Sequence, residues 1–181
     1  MTDATLLKGI RQQAEVLIRK SGFVLSDQEQ QDLAVNDMGL GHIQEEGLVF
    51  VDILRTERLR ITILVLLPNQ TLPQHLHPPY AAEIGKEETL RVLYGQTRLY
   101  VPGPENNPQP LIPTGKETFY TAHHEILIHR GEQYTIDPNT EHWFQGGSEG
   151  AVNLCFQNRV DETKNIFNDP QSLGCPIKLT D

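Results

Sequence analysis

The sequence predicts a mainly β protein: an antiparallel barrel or jelly roll with an α-helical extension at its N-terminus. Three observations support this fold class. Short segments rich in branched and aromatic residues follow one another from Gly47 onward, proline or glycine separates them, and helical periodicity is confined to the start of the chain. The segments predicted as strands are Leu48–Ile53, Leu59–Leu67, Leu90–Val101, Glu125–His129, Gln133–Ile136, Glu141–Phe144 and Ala151–Phe156.

The first element in the chain is predicted to be an amphipathic helix over Ala4–Lys20 that ends at Gly22. Its apolar residues recur at helical spacing, with charged and polar residues on the other side. Such a stripe favours packing against the barrel over binding a partner. The apolar residues are Leu6, Leu7, Ile10, Ala14, Leu17 and Ile18.

A second, shorter helix is predicted to begin near Ser26 or Asp27. Glu29 and Gln30 are placed to complete a capping box with the serine. This helix should stop before Gly39, and the strands of the barrel follow it.

The Pro-rich, polar segment 102–117 predicts an exposed loop or hairpin at the rim of the barrel. The tail from Asp161 contains two further Asp-Pro or Cys-Pro pairs and a glycine, which favours an irregular arm over the barrel or a second subunit. We therefore expect one domain over 1–181, comprising a helical extension (1–46), a barrel (47–160) and a C-terminal arm (161–181).

The composition limits the classes of partner. The formal net charge of −9 argues against binding to nucleic acid phosphates or anionic lipid, which leaves a small molecule or a second copy of the chain. The N-terminal residues have no long apolar core, so neither a signal peptide nor a membrane span is expected. Cys155 and Cys175 lack C-x-x-C spacing, and a buried free thiol at Cys155 fits a reducing cytoplasm.

The most informative motif is the pair His75 and His77. On a strand, side chains at i and i+2 point to the same face, so both imidazoles can enter one cavity. With Glu88 and His142 they form a set of nitrogen and oxygen donors that suits Mn, Fe, Co, Ni or Zn. Surface histidines are the alternative, since an H-x-H pair alone is common.

The spacing around these residues resembles the two-part cupin pattern, G-x5-H-x-H-x(3,4)-E-x6-G followed by G-x5-P-x-G-x2-H-x3-N, with departures that include the following two. Ten residues instead of three or four separate His77 from Glu88, and no glycine lies two residues after Pro138. Both halves are nevertheless present, which favours a bound metal. Four ligands would leave coordination positions open for a substrate.

Longer strings carry a closer resemblance. HPPYAAEIGKEETLRVLYGQTRLYVPG, HEILIHRGEQYTIDPNTEHWFQGGSEGAV and VDETKNIFNDP resemble the cupin-type D-lyxose ketol-isomerases over roughly Leu48 to Pro170. The resemblance implies a cupin barrel, usually a homodimer, that binds Mn(II) or a similar ion and interconverts D-lyxose and D-xylulose, often also D-mannose and D-fructose. It further implies the metal ligands His75, His77, Glu88 and His142, and it accounts for the long gap before the acid.

Position in the sequence also indicates roles for residues beyond the ligands. Lys86 lies two residues before Glu88, so both should face the cavity, although a solvated turn is the alternative. The strand after His142 carries no acid, which leaves Glu162 or Asp161 as the proposed catalytic base. A metal-assisted hydride shift would need no base.

The remaining candidates are polar groups for binding a sugar. Gln145 and Arg159 are expected to contact hydroxyls together with Lys86, although Gln145 could equally bond the backbone at a strand end. Two rival functions remain: a cupin dioxygenase that binds Fe(II), and a sugar-binding cupin without catalysis.

Overall fold

The computed structural model describes residues 4–107 and 110–174. Two helices come first, α1 (Ala4–Ser21) and α2 (Asp27–Gln31), and the rest of this part of the chain is mainly β. Short 3-10 turns at Glu117–Phe119 and Glu162–Lys164 interrupt the later loops. The strands are β1 (Ala34–Asn36), β2 (Leu48–Arg55), β3 (Leu59–Leu66), β4 (Thr71–Leu76), β5 (Glu88–Val101), β6 (His124–His129), β7 (Gln133–Ile136), β8 (His142–Asn158) and β9 (Ile166–Phe167).

All strand pairs within the described residues are antiparallel, in the order β1-β2-β3-β8-β4-β9, and β5 pairs with β6, β7 and β8. The long strands β5 and β8 form the centre of this curled sheet, since β8 pairs with β3, β4 and β5. The predicted mainly β, barrel-like architecture is therefore confirmed.

The prediction of two strands at 141–144 and 151–156 is wrong, because β8 runs through the glycines between them. At Gly150, φ is +78°, and a Cβ atom there would lie 2.7 Å from the carbonyl oxygen of Leu66. A glycine therefore lets the strand bend tightly against its neighbour instead of ending in a turn. This continuity brings both ends of β8 to the same cavity.

Side chains on β1, β2 and β3 alternate between two buried clusters. On β2 and β3, Phe50 and Leu64 face the interior of the barrel, whereas Val49 and Val65 face outward toward α1. The apolar stripe of α1 covers this outer face, as predicted. Its buried residues are Leu7, Ile10, Ala14, Leu17 and Ile18.

Ile10 offers a test of this packing because its side chain is only 1% exposed. We expect Ile10→Val to lower the free energy of unfolding by about 0.5–1.5 kcal/mol, since one buried methyl group is lost. Val16 on the same helix is 42% exposed, so Val16→Ala should change it by less than about 0.5 kcal/mol. Urea denaturation measures both, and equal effects would contradict the docking of α1.

The second helix begins after Ser26, whose side chain accepts a hydrogen bond from the backbone N–H of Glu29 while the Glu29 carboxylate accepts one from the backbone N–H of Ser26. The predicted capping box is confirmed. The helix ends at Gln31, however, well before the predicted limit at Gly39, and β1 follows it. Residues 1–46 therefore contribute a strand as well as helices.

The C-terminal arm lies over the barrel as far as residue 174. Its strand β9 pairs with β4, with Phe167 opposite His75. Lys116, from the loop after β5, bonds the buried carboxylate of Asp169 and secures the arm. Cys155 is buried and free, as expected, while Cys175 lies outside the described residues. None of the described helices is both long and apolar enough to span a membrane.

Candidate metal centre and its cavity

The interior of the barrel opens into a cavity of about 550 Å³, a size typical of small-molecule sites. One wall is apolar and includes Phe50, Leu64 and Phe144. Polar residues make up the rest of the lining, called the polar wall below, and include most of the residues singled out from the sequence. The polar residues used below are His75, His77, Arg60, Lys86, Glu88 and Glu162.

Three histidines converge beside this cavity, all of them buried. His75 lies on β4, His77 directly follows that strand, and His142 begins β8 opposite His75. One ligand nitrogen from each of the three lies within 4.8 Å of the others. The predicted convergence of these imidazoles is therefore observed, and the alternative of surface histidines does not apply.

A bulge in β4 turns His75 inward. The register with β8 shifts between Leu72 and His75, at the point where Pro73 lacks a backbone N–H for the ladder. Leu72 and His75 consequently share the inner face although three positions separate them. The carbonyl oxygen of Pro73 is then free to accept the hydrogen bond from His75 Nδ1, at 2.7 Å.

Each of the three imidazoles donates through Nδ1. The acceptors are the carbonyl oxygen of Pro73, Oδ1 of Asn165 at 2.7 Å from His77, and the carbonyl oxygen of Thr140 at 2.8 Å from His142. A carbonyl oxygen can only accept, so the proton sits on Nδ1 and the lone pair on Nε2.

The Nε2 atoms of His77 and His142 are buried and have no hydrogen-bond partner among the described residues. Burial lowers the pKa of all three imidazoles, and the neighbouring histidine and Lys86 charges add to this for His75 and His77. The rings are accordingly neutral. Neutral imidazoles with converging lone pairs, each oriented by an Nδ1 hydrogen bond, fit a divalent metal ion.

Glu88 lies next to the three histidines. Its Oε2 atom is 3.7 Å from His77 Nε2 and 3.3 Å from Lys86 Nζ. Gly85 allows this approach: its φ is +101°, and a Cβ atom there would lie 2.5 Å from the carbonyl oxygen of His77. The long gap before Glu88 is a loop, within which Tyr80 and Glu83 form a backbone-bonded turn.

Lys86 and Glu88 both point into the cavity while Glu87 is exposed, as the alternation predicted. Lys86 is only 6% exposed, so it is not part of a solvated turn. Burial alone would lower the pKa of Lys86, but Glu88 and Glu162 raise it further than burial and Arg60 lower it. Lys86 is thus a buried ammonium group facing two carboxylates.

Glu162 comes from the C-terminal arm and completes this charged cluster. Its carboxylate lies 3.1 Å from Arg60 Nη1 and 3.5 Å from Lys86 Nζ, and it accepts a hydrogen bond from Asn165 Nδ2 at 2.8 Å. Burial alone would raise the pKa of Glu162, but Lys86, Asn165 and Arg60 together lower it below its usual value. This carboxylate is therefore ionised at neutral pH and faces the cavity.

The other sequence candidates occupy different positions. Asp161 lines the edge of the same cavity, but its carboxylate caps the following 3-10 turn by accepting from Thr163. Arg159 is exposed at the rim and donates to the carbonyl oxygen of Thr56. Gln145 is buried, donates to Thr71 and to the carbonyl oxygen of Leu111, and does not line the cavity.

Four polar residues near the metal cluster and its cavity were not predicted from the sequence: Arg60, Thr62, Gln157 and Asn165. A signal was present for the first two: Arg60 and Thr62 are in phase with the inward-facing Leu64 on β3, so polar residues at these positions face the interior. Asn165 gave no such signal, because its contact with His77 depends on how the arm folds back over 88 positions of sequence.

Curated relatives match the chain over nearly its whole length, although no family model matches it. A D-lyxose ketol-isomerase of Thermofilum sp. (strain ex4484_79) is 41% identical over 97% of this chain and 98% of its own. The D-lyxose/D-mannose isomerase of Thermosediminibacter oceani is 40% identical with the same coverage. The D-lyxose ketol-isomerase of Cohnella laeviribosi is 42% identical over 92% of each chain.

Solved structures share the fold at much lower identity. The L-ribose isomerase of Cellulomonas parahominis with L-ribose superposes with a TM-score of 0.79 at 12% identity, over 95% of both chains. The Acinetobacter sp. DL28 L-ribose isomerase in complex with L-ribose gives 0.78 at 13%, over 95% of this chain and 94% of the other. These likenesses support the cupin-like barrel. The near-complete matches to the curated relatives show that the chain belongs to the D-lyxose ketol-isomerase family.

Proposed function

We propose that this protein is a metal-dependent aldose–ketose isomerase that interconverts D-lyxose and D-xylulose, and also D-mannose and D-fructose. The observation that carries the proposal is the cluster of three neutral imidazoles beside Glu88, open to a cavity that also contains an ammonium group and an ionised carboxylate. The hexose pair is included because one relative is named a D-lyxose/D-mannose isomerase.

His75, His77, His142 and Glu88 would hold the ion, and we propose Mn(II), with Co, Ni, Fe or Zn as substitutes. Imidazole and carboxylate donors without a thiolate suit these metals. When bound, such an ion supplies Lewis acidity that stabilises negative charge on the oxygens at C1 and C2 of the open-chain sugar.

Glu162 is proposed as the base. It would accept the proton from C2 of the aldose, leaving an enediolate, and return a proton to C1, while the hydrogen of the C2 hydroxyl passes to the oxygen at C1. Lys86 would donate a hydrogen bond to the oxygen that becomes negative. Support comes from Glu162 being ionised and 3.5 Å from that ammonium group.

Arg159, at the rim, is retained as a proposed contact for the far end of the sugar, whereas Gln145 is not, because its side chain bonds Thr71 and Leu111 outside the cavity. We also propose a homodimer in the cytoplasm. The family resemblance supports the first and the buried free thiol of Cys155 the second. Light scattering measures the mass.

Turnover of the Mn-loaded protein with D-lyxose, D-mannose and D-xylulose tests the function directly. We expect the ketose or aldose partner to form equally well with and without oxygen, and no product after chelation of the metal. Product formation that requires oxygen would instead support a dioxygenase, and sugar binding without turnover would support a non-catalytic cupin.

Asn165 is proposed to orient His77 toward the metal. Removing an outer residue that bonds a metal-binding imidazole typically weakens metal affinity about 10–100-fold, and we expect Asn165→Ala to do so for Mn(II). Titration calorimetry measures the affinity. Asn168 lies on the same arm, and in the part of the chain that the structure describes its recorded hydrogen bond is from its backbone N–H to the carbonyl oxygen of Gln74, so Asn168→Ala is the matched control. Equal affinities for the two variants would contradict the role of Asn165.

A further inference from the structure

Gln157 lies on the polar wall of the cavity near the end of β8. In the sheet it pairs with Glu88 of β5 on one side and with Arg60 of β3 on the other. Its side chain is 7% exposed and contributes to the cavity lining. A neutral amide therefore lies between two charged residues of the proposed active site.

The amide is held in one orientation by a chain of hydrogen bonds. Arg60 Nε donates to Asp52 Oδ1 at 2.7 Å, and the hydroxyl of Thr62 donates to the same oxygen at 3.2 Å. Because Thr62 gives its one proton to Asp52, it can only accept from Gln157, whose Nε2 lies 3.4 Å away. The amide nitrogen thus faces Thr62 and the oxygen Oε1 points away from it.

That oxygen is buried and has no hydrogen-bond partner among the described residues. Buried acceptors in folded proteins are nearly always paired, so an unpaired one on a cavity wall indicates a donor that comes from a ligand or an ordered water. The neighbouring groups Glu88, Glu162 and Asp52 are acceptors as well. A molecule with several hydroxyl donors, such as an open-chain sugar, is the complement of this wall.

We propose that Gln157 is a specificity-determining residue whose Oε1 accepts a hydrogen bond from one sugar hydroxyl beyond C2. This inference rests on the proposed function, in which the oxygens at C1 and C2 already interact with the metal and Lys86. The hydroxyls at C3, C4 and C5 are the donors that remain. Gln157 then selects sugars by the presence and configuration of one of them.

The test compares wild type and Gln157→Met on D-lyxose and on its 3-, 4- and 5-deoxy analogues. Methionine has a similar length but offers no comparable acceptor. We expect kcat/KM for D-lyxose to fall about 10–100-fold, mostly through KM, because the hydroxyl would be buried without a partner. For the one analogue that lacks this hydroxyl, the two proteins should be equally active, and Mn(II) affinity should not change.

Gln145→Met is the matched control. Gln145 is also a buried amide on β8 whose Oε1 has no hydrogen-bond partner within 4–107 and 110–174, but it does not line the cavity. Whatever this change does to stability, the ratio of kcat/KM between D-lyxose and each analogue should stay at the wild-type value. If Gln157→Met does not fold, Gln157→Glu keeps an acceptor at the same position and should preserve the wild-type discrimination among the analogues.

Several results would overturn the inference. They are an unchanged kcat/KM in Gln157→Met, an equal loss on D-lyxose and on all three analogues, and lost discrimination in Gln157→Glu. In each of these cases the wild type still isomerises D-lyxose, so the proposed function survives. A wild type inactive on every sugar after Mn(II) loading would instead refute the proposed function, and the inference with it.

Discussion

Glu162→Gln should lower kcat for D-lyxose by about 10²–10⁴-fold, the usual contribution of a positioned general base. Glutamine keeps the size of the side chain and an oxygen that can still accept from Arg60 or Lys86. It cannot take up a proton from carbon. The loss should therefore appear in kcat, with little change in Mn(II) affinity.

The charges around Glu162 support its proposed role as the base at neutral pH. Arg60 and Lys86 lie on either side of its carboxylate and, with Asn165, lower its pKa, so it is deprotonated before the sugar binds. The same cations would stabilise the enediolate as it forms. Because this pKa is lowered, the carboxylate keeps its charge until the pH falls below the usual range for a glutamate. The ratio of kcat between wild type and Glu162→Gln should therefore decrease only below that range.

Isomerisation in D₂O distinguishes proton transfer from a hydride shift. A base that exchanges its proton with solvent introduces deuterium at C1 of the D-xylulose formed, and NMR detects it, whereas a hydride shift carries the original hydrogen across. Asp161→Asn is the comparison, since that carboxylate caps the turn beside Glu162. A large loss in Asp161→Asn with none in Glu162→Gln would assign the base to Asp161.

Much of the fold followed from local patterns, and the failures have physical causes. Strands β2, β3 and β5 were visible as runs of branched and aromatic residues bounded by proline or glycine, and α1 was visible because only one of its faces is apolar. Strand β4 was not predicted, because Pro73 interrupts its pattern, and the three residues of β1 are too few to show periodicity. The glycines of β8 were interpreted as a turn between two strands, because glycine is typical both of a bend within a strand and of a turn that reverses the chain.

The site was predictable only where spacing alone determines direction. That His75 and His77 share one face, and that Lys86 and Glu88 alternate with Glu87, needed no tertiary information. The bulge that turns His75 inward depends on pairing with β8. The positions of Glu162 and Asn165 depend on an arm that folds back to pair with β4. The proposal of Glu162 over Asp161 as the base therefore draws on the structure, in which one carboxylate faces the cations and the other the backbone of Thr163.

His142→Ala should remove most of the Mn(II) binding and of the activity. Loss of a residue that only hydrogen-bonds a metal ligand already lowers metal affinity about 10–100-fold, and loss of a ligand itself should lower it further. The metal is expected to supply several kcal/mol to the transition state, and each 1.4 kcal/mol is about a tenfold change in rate, so kcat/KM should fall about 10³-fold or more at limiting metal.

Thermal unfolding separates metal binding from folding in this variant. A ligand that binds only the native state raises Tm with its concentration, so the wild type should be stabilised progressively by Mn(II) and His142→Ala should not. His129 is exposed on β6, away from the cluster, and His129→Ala should keep the full Mn(II) response. The Tm values of the metal-free proteins are also compared, because a lower value for His142→Ala would reveal a loss of packing around Phe144.

The combination of readouts decides what the three histidines do. If His142→Ala folds, responds to Mn(II) like the wild type and isomerises D-lyxose, the ion binds elsewhere. The Nε2 atoms of His77 and His142, which have no hydrogen-bond partner among the residues described, then need another explanation. If the Mn(II) response disappears while isomerisation persists in the presence of a chelator, proton transfer through Glu162 and Lys86 proceeds without the ion. Joint loss of both, with the apo fold intact, is the result that a catalytic metal at this cluster requires.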